Sequence, residues 1–107
     1  VELVGDAIEN AKENAVLNNI INVKFVLNDI KDYLKSISGS IESGHNKLIL
    51  DPPRSGLHPD ICKMLSETNF EKILYISCNH VTQARDIKMI CEKGKYRIEK
   101  IKCRVKV

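Results

Sequence analysis

The sequence predicts an α/β protein built on a doubly wound parallel sheet. Short aliphatic runs alternate with amphipathic segments along the 107 residues, which is the pattern of strands joined by helical crossovers. Two runs, KLIL at 47–50 and KILYIS at 72–77, are largely aliphatic, as is typical of parallel strands buried on both faces. The predicted order is strand, helix, strand, short helix, strand, helix, strand, helix and strand.

In the first half of the chain, a short apolar stretch precedes a helix with Asp6 as its N-cap. Glu9 follows Asp6 three residues later, which is the spacing of a capping box, and the helix is predicted to end near Asn18. NVKFVL at 22–27 is predicted as a strand and NDIKDYL as a turn into a short helix. The Ser- and Gly-rich residues 36–46 are predicted as a loop.

The second half of the chain repeats the alternation. After the strand at 47–50, Pro59 is predicted at the first position of a helix. Another helix follows the strand at 72–77 and is expected to end near Gly94. The final segment, 101–107, alternates apolar and polar residues and is predicted as a strand.

Composition and charge restrict the classes of function. Hydrophobic residues make up 43% of the chain, yet no apolar stretch approaches the ~20 residues that cross a membrane. VELVGDAIEN also lacks the basic start of a signal peptide, so a cytoplasmic protein with no membrane partner is expected. The net charge of +3 is a weak sign of a polyanionic partner. The basic segment KGKYRIEKIKCRVKV is more suggestive of one, but a solvated strand face is the favoured interpretation.

The cysteines and histidines predict neither a metal site nor a disulfide framework. The four cysteines are 16, 13 and 12 residues apart, which excludes the C-x₂₋₄-C spacing of a zinc site. A disulfide framework is not expected in a chain with this much aliphatic core and no secretory features. Three scattered histidines have no partner at metal-binding spacing, so we expect none to be a ligand: His45, His58 and His80.

The glycines indicate that part of the sheet is absent. The sequence contains no G-x-G, so the glycine-rich loop that usually binds a nucleotide, and the strand before it, are missing. We therefore expect residues 1–107 to form the C-terminal portion of a larger protein.

Four candidate site residues follow predicted strands, namely Glu2, Asp29, Asp51 and Cys78. Ligands of doubly wound sheets bind outside the carboxyl ends of the strands. Glu2 is placed to bind ribose hydroxyls, although a solvated acid is the alternative. Asp29 is placed to reach an adenine edge, or else to cap the following helix.

Cys78 lies between a predicted strand and the start of a helix. Backbone N–H groups and the helix dipole at such a position favour the thiolate, which is the nucleophilic form. The alternative is a small buried hydrophobe. In DPPRSG, Asp51 is a candidate acceptor for a ligand and Arg54 a candidate phosphate contact; a rigid turn with Arg54 bonded to a helix end is the alternative.

Taken together, LILDPPRSGLHPDI, KILYISCN and TQARD resemble the uracil-5-methyltransferases, a family that modifies tRNA and ribosomal RNA with S-adenosyl-L-methionine. The resemblance covers nearly the whole chain. A DPP motif alone also occurs in amino-methyltransferases, whereas DPPRSG followed by SCN one strand–helix unit later is specific.

The resemblance implies that Cys78 is the nucleophile, adding to carbon 6 of uracil so that carbon 5 can attack the methyl sulfonium. The target base would be flipped out of its stack. By position, Glu2 would bind the ribose of the methyl donor, Asp29 its adenosine portion, and Asp51 would lie beside donor and base. Four residues would shape the substrate pocket, namely Arg54, Asn79, Thr82 and Arg85.

The resemblance also implies a partial Rossmann-like methyltransferase domain over residues 1–107. The general base of the family, a glutamate after the final strands, has no counterpart here, so the segment alone is expected to be inactive. Two alternatives stay open: an amino-group methyltransferase that uses DPPR without the cysteine, and a non-catalytic RNA-binding fragment.

Overall fold

The computed structural model describes residues 1–40 and 45–104, which form part of two compact units, 1–40 and 41–107. The prediction of a mixed α/β protein is confirmed. The described elements are α1 (Gly5–Leu17), α2 (Ile30–Ile37), β1 (Lys47–Leu50), α3 (Pro59–Ser66), β2 (Lys72–Tyr75) and α4 (His80–Ile90).

Helix α1 begins earlier than the capping-box spacing predicts. Its N-cap is Val4, whose side chain makes no capping hydrogen bond, and Asp6 lies inside the first turn. The carboxylate of Glu2 accepts the backbone N–H groups of Leu3 and Val4 at 2.9 and 3.0 Å. Asp6 is therefore not the N-cap, because the chain has already become helical at Gly5.

The two strands predicted in the first unit are reduced to one parallel bridge between Glu2 and Leu27. The N–H of Glu2 donates to Val26 O, and its carbonyl accepts the N–H of Asn28, both at 3.0 Å. A strand requires consecutive bridges, and the described residues form only this one here, so the prediction of a strand over 22–27 is wrong.

Helix α2 confirms the predicted short helix and shortens the predicted loop. Asp29 is its N-cap, and the helix continues through Ile37, so residues 36 and 37 are helical rather than part of the loop. The rest of the predicted loop includes 41–44, which lie outside the described residues.

In the second unit, β1 and β2 form a parallel pair, with Leu50 opposite Tyr75. The N–H of Ile76 donates to Leu50 O at 2.8 Å, which extends the ladder by one bond at its carboxyl end. Both strands therefore end at the same edge, as predicted. The segments that follow them, from Asp51 and from Ser77, leave the sheet side by side.

The expectation that these strands are buried on both faces is wrong for the part of the protein that the structure describes. Leu50 is buried, whereas Ile49 is 69% and Leu74 55% exposed. Alternate side chains of a strand point to opposite faces of the sheet. The face that carries Tyr75 is turned toward α4, since the Tyr75 hydroxyl bonds to Asp86 on that helix.

Helices α3 and α4 pack together over the core of this unit. Pro59 occupies the start of α3, as predicted, and His58 Nδ1 caps the helix by accepting the N–H of Asp60 at 3.1 Å. Helix α4 ends at Ile90, four residues before Gly94. Buried apolar side chains of this core are Leu50, Leu57, Ile61, Cys62, Leu65, Phe70 and Ile90.

The basic segment after α4 contains no strand within residues 95–104, and 105–107 lie outside the described residues. Alternation sets which side chains share a face, but a strand also needs a neighbouring edge. The segment is held instead by Tyr96, whose hydroxyl accepts the N–H of Phe70 and donates to Thr68 O, both at 2.9 Å. In the described ranges no helix is long and apolar enough to cross a membrane.

Replacing Leu65 with alanine tests the core between α3 and α4. Leu65 is 0% exposed, so truncation leaves a cavity and should lower the free energy of unfolding by about 2–5 kcal/mol. Urea denaturation followed by circular dichroism measures the change. Lys63→Ala, on the exposed side of α3, is the matched control and should stay within about 0.5 kcal/mol of wild type. Equal effects of the two variants would contradict this packing.

Candidate active site at the carboxyl ends of the strands

The DPPRSG loop leaves β1 as a tight turn. Asp51 is exposed, and the two prolines after it supply no N–H for the sheet. The N–H of Gly56 donates to Pro53 O at 2.8 Å and closes the turn over Arg54 and Ser55. Gly56 has a φ of 79°, which L side chains rarely adopt.

Gly56 lies directly against helix α4. A Cβ atom at this position would be 2.5 Å from Asp86 Oδ2 and 2.7 Å from Arg85 Nη2. It would also be 3.1 Å from Thr82 Cβ. Only glycine therefore allows both the backbone conformation and the close approach of the loop to the helix.

Side chains of α4 bind the backbone of the loop at Arg54 and Ser55 and that of Leu57, which follows the loop. Thr82 Oγ1 donates to Arg54 O at 2.9 Å, and Arg85 Nη2 donates to Ser55 O at 2.9 Å. The third bond runs the other way, from the N–H of Leu57 to Asp86 Oδ2 at 2.7 Å. The TQARD motif thus fixes the DPPRSG loop, a contact that neither motif reveals by itself.

Asp86 is the centre of this contact and is 0% exposed. Its Oδ2 also accepts the hydroxyl of Tyr75 at 2.6 Å, and its Oδ1 accepts Nε and Nη2 of Arg85 at 3.0 and 2.8 Å. Burial alone would raise the pKa of Asp86, but the hydrogen bonds from Tyr75, Leu57 and Arg85 outweigh it and hold the pKa below its ordinary value. Asp86 is therefore a charged carboxylate in the core.

The charge of Asp86 acts on two neighbouring acids. Burial, followed by the hydrogen bond to Asp86, raises the pKa of Tyr75 well above its ordinary value. Burial and then the charge of Asp86 raise the pKa of Cys62 to about 11. Tyr75 therefore stays a hydrogen-bond donor, and Cys62 stays a neutral thiol at neutral pH.

Sequence reasoning missed Asp86 as a functional residue. The sequence contains one signal, because Asp86 lies four residues before Ile90 and so shares a face of the helix with an apolar residue. An acid on that face requires buried donors, which sequence alone does not identify.

Cys78 lies in the short connection between β2 and α4, and its side chain is exposed. Ser77 Oγ accepts the N–H of Asn79 at 2.9 Å, and Asn79 Oδ1 caps α4 by accepting the N–H of Val81 at 3.0 Å. Gln83 Nε2 donates to Tyr75 O at 3.1 Å. The backbone is thus held on both sides of Cys78, and the reading of Cys78 as a buried hydrophobe is wrong.

Asp51 and Cys78 follow adjacent parallel strands and so lie at the same edge of the sheet, as predicted. No side-chain partner is found among the described residues for Asp51, Arg54 or Cys78. The alternative of a rigid turn in which Arg54 bonds to a helix end is confirmed for the backbone alone, because Thr82 in the first turn of α4 donates to Arg54 O. The three side chains face solvent at that edge.

Asn79 and Arg85 have partners within the protein. Asn79 caps α4, and the guanidinium of Arg85 is bonded to Asp86 and to loop carbonyls. These contacts give both residues a part in holding the site. Their predicted contacts with substrate stay predictions.

Glu2 and Asp29 lie together in the first unit, on the two chain segments joined by the Glu2–Leu27 bridge. Glu2 Oε1 accepts the N–H groups of Leu3 and Val4. Asp29 Oδ1 accepts the N–H groups of Lys31 and Asp32 at 2.8 and 3.4 Å, which confirms its reading as a helix cap. No group of three His, Cys, Asp or Glu side chains that could hold a metal occurs within the described ranges.

Replacing Gly56 with alanine tests the close contact between the loop and α4. Gly94 is the matched control, because its φ of 75° is similar but nothing lies within 4 Å of its Cβ position. Gly94→Ala should lower the free energy of unfolding by about 1–2 kcal/mol through backbone strain. Gly56→Ala should lower it by a further ~1–3 kcal/mol, because the methyl group displaces Asp86 or the loop. Equal urea-denaturation curves for the two variants would contradict the contact.

Thiol labelling tests the contrast between Cys78 and Cys62. At about pH 8, iodoacetamide should modify the exposed Cys78 well before Cys62, since only thiolate reacts and Cys62 is buried with a raised pKa. Peptide mass spectrometry at successive times measures both rates. The difference should vanish in urea-unfolded protein. Labelling of Cys62 at the rate of Cys78 in folded protein would refute the arrangement.

Comparison with known proteins gives a consistent result. An uncharacterized RNA methyltransferase of Clostridium tetani is 39% identical over 102 residues, which are 95% of this chain and 21% of that protein. Uncharacterized RNA methyltransferases of Bacteroides thetaiotaomicron and Thermotoga maritima are each 38% identical, over 94% and 90% of the chain and 22% and 21% of those proteins. The chain thus spans about a fifth of the length of these relatives.

A family model described as tRNA (Uracil-5-)-methyltransferase matches residues 1–102, the range that carries every candidate site residue. The chain therefore belongs to the tRNA (uracil-5-)-methyltransferase family.

Proposed function

We propose that the protein containing this chain methylates carbon 5 of a uridine in tRNA or ribosomal RNA, with Cys78 as its nucleophile. The observation that carries the proposal is the exposed Cys78 thiol at the end of β2, beside the loop of Asp51 at the end of β1. Family membership supports RNA methylation, and the cysteine selects carbon 5 over an exocyclic amino group, which needs no nucleophile.

Carbon 5 of uracil is a weak nucleophile, so the proposed reaction begins at carbon 6. The Cys78 thiolate forms a bond to carbon 6, and the electron pair of the 5,6 double bond moves onto the carbon 4 oxygen as an enolate. Carbon 5 would then accept the methyl group that S-adenosylmethionine supplies when bound, with the donor's thioether as leaving group. A base removes the proton from carbon 5, the double bond returns, and the thiolate is released. Covalent catalysis divides one difficult step into easier ones.

S-adenosylmethionine supplies the methyl group in this proposal, and the residues present fit it. Ribose hydroxyls are donors, and Glu2 uses only Oε1 for backbone contacts, so Oε2 has no partner among the described residues. Asp29 likewise uses Oδ1 to cap α2. We assign Glu2 to the ribose, Asp29 to the adenosine portion and Asp51 to the space between donor and target base.

The proposal extends to the rest of the fold. The parallel pair β1 and β2, joined through α3 and followed by α4, is compatible with part of a Rossmann-like sheet and supports this extension. We propose that residues 1–107 are part of such a catalytic domain. The general base and the glycine-rich loop then lie outside these residues. We propose that four residues shape the substrate pocket, namely Arg54, Asn79, Thr82 and Arg85.

Trapping with a fluorinated substrate tests the function. The full-length protein is incubated with S-adenosylmethionine and RNA containing 5-fluorouridine, whose fluorine cannot leave as a proton. A covalent complex should accumulate on a denaturing gel, and mass spectrometry should place the RNA on Cys78. The complex should disappear in Cys78→Ala.

Cys103→Ala is the matched control, because it removes another exposed cysteine and should leave the complex unchanged. Normal methylation of unmodified RNA without any trapped complex would overturn the cysteine mechanism in favour of amino-group methylation. A protein that gives neither product on a broad RNA pool would support the non-catalytic alternative.

A further inference from the structure

The buried carboxylate of Asp86 takes no part in the proposed chemistry. It nevertheless joins the two segments that carry the proposed reacting residues, which are the DPPRSG loop and the end of β2. Its donors come from three places: Leu57 at the end of the DPPRSG loop, Tyr75 at the end of β2, and Arg85 on α4. Leu57 is 29 residues from Asp86 along the chain. One side chain therefore sets the position of the loop after β1 relative to the strand that leads to Cys78.

The loop cannot be positioned by the sheet itself. The last ladder bond runs from the N–H of Ile76 to Leu50 O, and the two prolines after Asp51 offer no N–H to continue it. Beyond that point, the hydrogen bonds between the loop and the rest of the described unit come from α4. Among these, only the bond to Asp86 is made by a fully buried group.

Stability alone is a poor explanation for such a carboxylate. Burying an ion pair costs desolvation energy, and well-packed apolar residues often serve a core equally well. Gly56 also leaves no space for the loop to shift toward α4, since its Cβ position is already 2.5 Å from Asp86 Oδ2. The distance between the loop and α4 is therefore fixed in both directions. Hydrogen bonds prevent the loop from moving away from the helix, and the contact at Gly56 prevents it from moving closer.

We propose that Asp86 is a positioning residue of the methyl transfer: by holding Leu57 and Tyr75 on one carboxylate, it sets where Asp51 and Arg54 stand relative to Cys78. This inference rests on the proposed function for its catalytic consequence. Misplacement of reacting groups by about 1 Å can cost roughly 10²-fold in rate. Loss of Asp86 should therefore reduce the maximal rate even in protein that remains folded.

The test compares three variants of the full-length protein. Asp86→Ala removes both carboxylate oxygens, whereas Asp86→Asn keeps the volume and one oxygen that can still accept from Leu57 and Tyr75. Leu65→Ala is the control for stability, because Leu65 is buried in the same core and its side chain makes none of the hydrogen bonds that hold the loop. All rates are measured below the unfolding transition of every variant and are expressed per folded molecule.

Two readouts are taken. Amide hydrogen exchange at Leu57 reports directly whether the loop is held. The second is the rate of adduct formation with 5-fluorouridine RNA, at saturating S-adenosylmethionine and RNA. For Asp86→Ala we expect faster exchange at Leu57 and a maximal rate lower by about 10–100-fold. Asp86→Asn should recover part of the protection of Leu57 and part of the maximal rate. Leu65→Ala should keep the wild-type maximal rate and the wild-type protection of Leu57.

The outcomes separate the two proposals. Unchanged exchange at Leu57 in both Asp86 variants would overturn the inference, whatever the activity. Faster exchange with a wild-type maximal rate would also overturn it, because the loop position would then not matter for the reaction. If wild-type protein forms no adduct, the proposed function fails, and the catalytic part of the inference fails with it, while exchange still decides whether Asp86 holds the loop.

Discussion

A single buried carboxylate, that of Asp86, holds together the three elements that surround the candidate site. Asp86 is fully enclosed and charged because Leu57, Tyr75 and Arg85 all donate to it. A buried carboxylate without hydrogen-bond donors would lower the stability of the fold by much more than a paired one raises it. The loop after β1, the end of β2 and helix α4 must therefore come together in this arrangement for the unit to fold.

Because the backbone is held in this way, the loop after β1 and the connection that carries Cys78 combine a fixed backbone with exposed side chains. The loop is held through its carbonyls, through the N–H of Leu57 and through the contact at Gly56, so the side chains of Asp51 and Arg54 are left exposed. Cys78 is similarly exposed between Ser77 and the helix cap Asn79. A fixed backbone that presents reactive side chains to solvent is what a site of covalent catalysis requires.

Local features of this arrangement could be predicted from sequence, but long-range ones could not. The Asn18 helix end, Pro59 and the pairing of DPPRSG with SCN depend on neighbouring residues, and the structure places them as expected. The second strand is shorter than predicted, because β2 ends at Tyr75 rather than at Ser77. The Asp6 cap failed because the chain is already helical at Gly5, and the strand over 22–27 failed because a strand depends on the segment that lies beside it. Asp86 was missed for the same reason, since its partners come from separate elements.

A crystal structure of the full-length protein trapped on 5-fluorouridine RNA would test the central claim most directly. The account predicts a covalent bond between Cys78 Sγ and carbon 6 of the flipped base, with Asp51 beside the base. It also predicts that the bond from the N–H of Leu57 to Asp86 is retained in the complex. A target base bound away from Cys78, or a DPPRSG loop detached from α4 in the trapped state, would contradict it.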